Sequence, residues 1–362
     1  MQYFFLGNTP ELSRLELQSL LSTPLTPVTP SIISSTADPS IFAQFGGIRK
    51  VAESVKTVAR DQVLSTLSSI YAVGINKNLA VTDYADLHLT SSDLVQVKKS
   101  LSRPVRFVSL DTSEHELLML SHQHVDELNL LPAGGAVDIA RTVWIFPAEE
   151  WVERDRHKPY RDIKRGMLPP KLARILVNLG AMGNKGLSLT DPFCGTGTVL
   201  SEALLVGCSH VYGSDTFGPA VRGAETNLQW LCDQFELQTS NFEIRLSDAT
   251  HLSSVVPHTD LIVTEPYMGP LMDRHLPPLE KIADIARGLD KLYRGCFRDW
   301  RNILPEGGRV VMTIPQFKAF GRTIPTISVD TITSLGYNYI SSVAYGKPSA
   351  TVIRNITILE RK

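Results

Sequence analysis

The residues best suited to chemistry in this chain sit at the ends of apolar runs in its C-terminal half. Asp191-Pro192-Phe193-Cys194-Gly195-Thr196-Gly197-Thr198 follows the run Leu187–Thr190 and precedes a helical stretch. Glycines at such a turn let the backbone approach a ligand closely, and the helix start offers free N–H groups. No Lys-Ser/Thr pair follows, so this is not a phosphate loop, and the third glycine of the dinucleotide fingerprint is missing. Asp215 lies 24 residues after Asp191, at the end of the next run, about where an α/β fold places a carboxylate on a ribose diol. Asp248, followed by Ala249, ends a third run and could hydrogen-bond an adenine amine. Any one of these carboxylates could instead cap the helix that follows it. Three in succession, each at a strand end, point to an adenosine-type cofactor.

A fourth run, Asp260–Val263, leads into Thr264-Glu265-Pro266-Tyr267. The exocyclic amine of a nucleobase is a poor nucleophile, because its lone pair is delocalised into the ring. Acceptors that hold its N–H groups turn that lone pair toward an incoming methyl group. An oxygen of Glu265 or Thr264, with a backbone carbonyl set by Pro266, would serve, and Tyr267 could stack on an extruded base. The same four residues also read as an ordinary strand-to-turn junction with proline as breaker.

The elements that must position these groups alternate along the chain. Strands are expected at Leu187–Phe193, Val211–Ser214, Ile244–Leu246, Leu261–Val263 and Val310–Ile314, with helices at Val199–Val206 and Ala220–Phe235, and Gly207 as a C-cap. Ile353–Leu359 fits a late antiparallel strand. Lys281–Leu304 reads as an amphipathic helix, with Arg287, Lys291, Arg294, Arg298 and Arg301 off its apolar stripe. This is the pattern of an open α/β sheet. The N-terminal half reads as smaller α+β units. A strand is expected at Tyr3–Gly7 and a helix at Glu11–Leu21, with Thr9 and Pro10 at its start. Residues 22–40, rich in Pro, Ser and Thr, are expected to form a loop. Further strands are expected at Tyr71–Ile75, Val105–Leu110 and Thr142–Phe146, and a helix at Asp93–Leu101.

The 362 residues carry 36 Lys plus Arg and 37 Asp plus Glu, for a net charge of −1. The apolar share of 43% excludes a disordered chain. Along the chain the charge is uneven: −6 over residues 1–153, +6 over 154–174 and −1 over 175–362. The block contains Arg154, Arg156, Lys158, Arg161, Lys164, Arg165, Lys171 and Arg174. It is either a solvated linker or a surface that attracts a polyanion such as RNA. No basic residue precedes the short apolar run at the N-terminus, which argues against a signal peptide. The four cysteines lie singly, so neither a disulfide framework nor a metal site is expected, and a reducing, cytoplasmic setting is the expectation.

Three features together resemble the THUMP-domain tRNA guanine amino-methyltransferases. They are Tyr3-Phe4-Phe5-Leu6-Gly7-Asn8-Thr9-Pro10-Glu11-Leu12, the segment Gly166–Arg174 with Asn178-Leu179, and Asp191–Thr198. The resemblance implies a Rossmann-like, class I methyltransferase domain over 181–362, preceded by a ferredoxin-like region (1–60), a THUMP RNA-binding domain (61–153) and a basic linker with an entry helix (154–180). It implies S-adenosylmethionine as cofactor, held by Asp191, Phe193, Gly195, Gly197, Asp215, Asp248 and Ala249, and tRNA as partner, met by the basic block. The family's Asp-Pro-Pro-Tyr reads here Thr264-Glu265-Pro266-Tyr267. Either Glu265 replaces the acid or Thr264 occupies its place. Methylation of adenine or cytosine in ribosomal RNA or DNA, and a catalytically silent RNA-binding protein, stay open as alternatives.

Overall fold

The computed structural model describes residues 1–110, 114–163, 165–237, 241–270, 277–347 and 349–362. Its contacts divide the chain into two units, Met1–Arg14 with Leu21–Glu150, and Leu15–Leu20 with Trp151–Lys362.

In the first unit, the elements run β1 (Gln2–Leu6), α1 (Pro10–Leu20, of which the first residues belong here), β2 (Thr26–Thr29), β3 (Ile32–Ser35), β4 (Ile48–Val58), α2 (Val63–Ala72), β5 (Asn78–Asp83), α3 (Ser91–Lys99), β6 (Arg106–Phe107), α4 (Glu114–His122), β7 (Asp126–Ala133), β8 (Ala136–Ile145) and α5 (Ala148–Val152). Eight strands form one sheet in the order β2-β3-β1-β4-β8-β7-β5-β6. Residues 1–60 and 61–150 share it, because β4 pairs with β8. Two expectations are corrected here. Tyr71–Ile75 is not a strand: Val63, Leu67 and Tyr71 recur at helical spacing as the buried face of α2, whereas Val73 and Ile75 are 85% and 91% exposed. Residues 22–40 are not simply a loop. Ile32 and Ile33 are buried against β1, and the proline-bearing β2 takes the sheet edge, where a missing N–H is tolerated. The expected strand at Val105–Leu110 shrinks to β6.

In the second unit follow α6 (Pro170–Ala181), β9 (Ser188–Asp191), α7 (Thr198–Val206), β10 (His210–Asp215), α8 (Gly218–Gln234), β11 (Asn241–Leu246), β12 (Leu261–Thr264), α9 (Leu279–Trp300), β13 (Arg309–Ala319), β14 (Arg322–Pro325), α10 (Val329–Ser334), β15 (Tyr337–Tyr345) and β16 (Val352–Arg361). The sheet order is β11-β10-β9-β12-β13-β16-β15, with β14 paired to β13. β9 to β13 run parallel, and β16 and β15 close the sheet antiparallel. The α9 stripe Ile282, Leu289, Tyr293, Cys296 and Trp300 is buried against Ile262, Val310 and Met312. After β11 the chain returns to the other side of β9. The β9/β12 boundary is therefore the topological switch point, where crevices open at the carboxyl ends of parallel strands.

Candidate active site

At the carboxyl end of β9 the chain turns sharply into α7. Gly195 (φ 50°) and Gly197 (φ 80°) both take left-handed backbone conformations. A Cβ on Gly197 would sit 3.3 Å from that of Ala224, so a side chain there would crowd α8. Asp215, at the end of β10, braces this turn. Its carboxylate accepts the Gly195 N–H at 3.1 Å and the Phe217 N–H at 2.9 Å. Asp248 caps the short helical segment after β11, accepting the Thr250 N–H and O–H, each at 2.8 Å, and these bonds hold its carboxyl below the usual range. Ala249 is buried, and its carbonyl accepts the indole N–H of Trp300 at 2.9 Å.

The two motifs of the sequence meet at the switch point. Thr264, fully buried at the end of β12, donates its hydroxyl to Asp191 Oδ1 at 2.6 Å, and the Phe193 N–H donates to the same oxygen at 3.1 Å. This bond uses the donor and not the acceptor side of the hydroxyl; it is the full burial of Thr264 that corrects its reading as an acceptor for substrate. Glu265 is the acid left at the opening. Its Oε1 accepts Nε of Arg354, on β16, at 2.6 Å. Pro266 is buried and Tyr267 is 54% exposed, with its carbonyl held by the Tyr293 hydroxyl of α9 at 2.8 Å. Arg354 was not among the residues expected from the sequence, because it lies far from the motif along the chain. A charged residue inside the expected strand Ile353–Leu359 was the available signal.

Burial dominates Asp191 and pushes its carboxyl up to about 7, against the lowering effect of its two hydrogen bonds. An unfolded Asp titrates near 3.9, so between about pH 4 and 7 the native state binds the extra proton and stability falls as pH rises. Asp191→Asn, which does not titrate, is therefore expected to match the wild type near pH 4. Near pH 8 it should exceed it by up to about 4 kcal/mol. Denaturation midpoints at the two pH values check this, and a pH-independent difference would refute it.

The basic block has two fates. Arg154 and Lys158 are buried, which corrects their reading as RNA contacts. Arg154 donates to Glu202 of α7 at 2.8 Å, and Arg174 reaches the other oxygen of Glu202 at 2.6 Å. Lys158 donates to the hydroxyls of Thr196 and Thr198, at 3.2 and 3.0 Å, and burial brings its ammonium down to about 8. Tyr160 exchanges hydrogen bonds with Asn227 of α8, and Asn227 also donates to the Thr196 carbonyl at 2.8 Å. The segment from 158 to 160 thus straps the glycine turn. Arg156, Arg161, Arg165 and Lys171 are exposed, and Lys164 lies outside the described residues. Arg165 stacks 3.7 Å above the Phe217 ring, with Nη1 4.0 Å from Asp215, so it borders the same turn. On α9, Arg287 pairs with Asp284, and Arg294 with Asp290 at 2.7 Å.

Known proteins resemble this chain at the level of family model, curated relative and solved structure. A family model described as RMKL-like, methyltransferase domain (UPF0020) matches residues 158–334. A tRNA (guanine(10)-N2)-dimethyltransferase of Methanothermobacter thermautotrophicus is 34% identical over 152 residues, 42% of this chain and 40% of the relative. A tRNA (guanine(6)-N2)-methyltransferase of Thermus thermophilus is 30% identical over 168 residues, 44% and 43% of the two chains. The chain thus spans less than half the length of each of these curated relatives. Among solved structures, TrmN from Thermus thermophilus superposes with a TM-score of 0.55 at 16% identity, covering 100% of both chains, and so shares the fold.

Proposed function

We propose, from the premise that residues 158–334 form an RMKL-like methyltransferase domain related to the tRNA (guanine-N2)-methyltransferases, that this chain methylates the exocyclic amine of a guanine in tRNA. The observation that carries the reading is the 2.6 Å bond from Thr264 to Asp191. It sets the glycine turn and the acid-Pro-Tyr motif side by side at the switch point, where a methyl donor and a base must meet.

The residues present fit S-adenosylmethionine. The two left-handed glycines leave the turn's backbone approachable, and the carboxyls of Asp191, Asp215 and Asp248 stand at three adjacent strand ends. When bound, this cofactor supplies a methyl group carried on a positively charged sulfur. Asp191, Phe193, Gly195 and Gly197 would hold its amino-acid end, Asp215 its ribose diol, and Asp248 with Ala249 its adenine. Glu265 would accept an N–H of the guanine amine and orient its lone pair; as the N–C bond forms at the expense of the S–C bond, with S-adenosylhomocysteine leaving, Glu265 would take the surplus proton of the amine. Pro266 sets the backbone carbonyl beside it, and the exposed ring of Tyr267 stacks on the base.

Residues 1–60 serve as the ferredoxin-like region and 61–153 as the THUMP domain, the pair forming the tRNA-binding half. Arg156, Arg161 and Lys171 extend the cationic surface. No described helix is long and apolar enough to cross a membrane, and the four free thiols suit a reducing cytoplasm.

Nucleoside mass spectrometry of tRNA incubated with the purified chain and S-adenosylmethionine tests the reading. N2-methylguanosine is expected, and label confined to adenine or cytosine would overturn it. Asp215→Ala removes both the ribose partner and the brace on the Gly195 N–H. It should weaken S-adenosylhomocysteine binding by about 1–3 kcal/mol, and an unchanged isothermal titration would remove Asp215 from the site.

A further inference from the structure

We propose that Arg354 is a positioning residue for the Glu265 carboxylate, an inference that rests on the amine-methylating reading above. Arg354 lies 89 residues from Glu265, on an inner strand of the sheet. It stands opposite Pro315 of β13 on one side and Tyr345 of β15 on the other. On β13, the register partner of Thr264 is Met312, so Arg354 stands three residues further along, past the carboxyl end of β12. From there its side chain meets Glu265 at 2.6 Å.

A glutamate has three side-chain torsions, so without a partner its carboxylate samples several positions. Arg354 takes Oε1, which leaves Oε2 as the acceptor with a set direction. The charges around it make this necessary. The carboxylates of Glu265 and Asp215 both act on Asp191 across the switch point, and the buried hydroxyl of Tyr293 also feels Glu265. The Arg354 guanidinium offsets these like charges and fixes Oε1 of the acid.

With Glu265 17% and Arg354 33% exposed, the ion pair is partly buried, so its removal costs some stability as well as turnover.

The test uses the full chain with tRNA and compares Arg354→Gln, Arg354→Lys, Glu265→Gln and the double variant Glu265→Gln/Arg354→Gln. Arg354→Gln should lower kcat roughly 10- to 100-fold, the scale of a misplaced reacting group, with KM for tRNA and S-adenosylhomocysteine affinity within about twofold. Arg354→Lys, which keeps the charge, should recover part of the loss. In the Glu265→Gln background the Arg354 substitution should cost nothing further, because the two residues act as one unit. A wild-type kcat for Arg354→Gln, a full additional loss in the Glu265→Gln background, or a raised KM at constant kcat would overturn the inference while methylation by the wild type still stood. Absence of methylation by the wild type itself would instead overturn the substrate reading and this inference with it.

Discussion

Glu265→Gln is expected to cut turnover on saturating tRNA at least ~100-fold while leaving S-adenosylhomocysteine affinity unchanged, the scale of a lost general base or positioning group. The substitution keeps the shape of the side chain and leaves an oxygen for Nε of Arg354, so the 2.6 Å contact need not break. What changes is the other terminus, where an amide NH2 replaces an acceptor oxygen. That donor would face the N–H groups of the substrate amine, and it cannot take the surplus proton. Cofactor affinity is spared because the glycine turn follows β9 and Asp215 ends β10, whereas Glu265 follows β12. Single-turnover kinetics with isothermal titration check both halves of the expectation. Near-normal turnover would move the acceptor role to the backbone carbonyl before Pro266.

The second large effect is on stability. Glu202, buried in α7, is shared by Arg154 and Arg174, and both guanidinium groups are buried beside the Trp151 ring. Removing one partner from a buried ion pair leaves the other charge desolvated and uncompensated, which costs about 3–5 kcal/mol. Glu202→Ala, which takes the shared acceptor from two buried guanidinium groups at once, is expected to fall within that range. The measurement is the denaturant midpoint of the variant against the wild type, with the slope of the transition checked for change. A loss under about 1 kcal/mol would show that the guanidinium groups find water or other acceptors. Because α7 begins at the glycine turn, cofactor affinity should weaken in the same variant.

Much of the C-terminal half is legible in the sequence, for a local reason. Strand and helix periods, the Gly195 and Gly197 turn, and the carboxylates that end β9, β10 and β11 are written in residues close together in the chain. Their elements recur within a few residues of the expected bounds, and the α9 stripe is buried where its spacing puts it. The N-terminal half is less legible for the complementary reason. Val63, Leu67 and Tyr71 form a helical face, yet the short run from Tyr71 reads equally well as a strand, because a few apolar residues carry no distinguishing period. The pairing of β3 with β1 joins residues roughly 30 positions apart, which local composition does not reveal.

By itself, then, the sequence determined which kinds of group stand at the strand ends and that a cationic block precedes the first of those strands. It did not determine what each charge does. Arg154 and Lys158 read as part of one exposed block, but the structure buries them on Glu202 and on the Thr196 and Thr198 hydroxyls. Thr264 and Glu265 read as equal candidates, but β9 beside β12 commits Thr264 to Asp191. Arg354 stands out only once β16 brings it to Glu265. The physical reason is the same in each case. The role of an ionisable or hydrogen-bonding group depends on its desolvation and on which partner lies within about 3 Å, and both are set by strand order and not by neighbours along the chain.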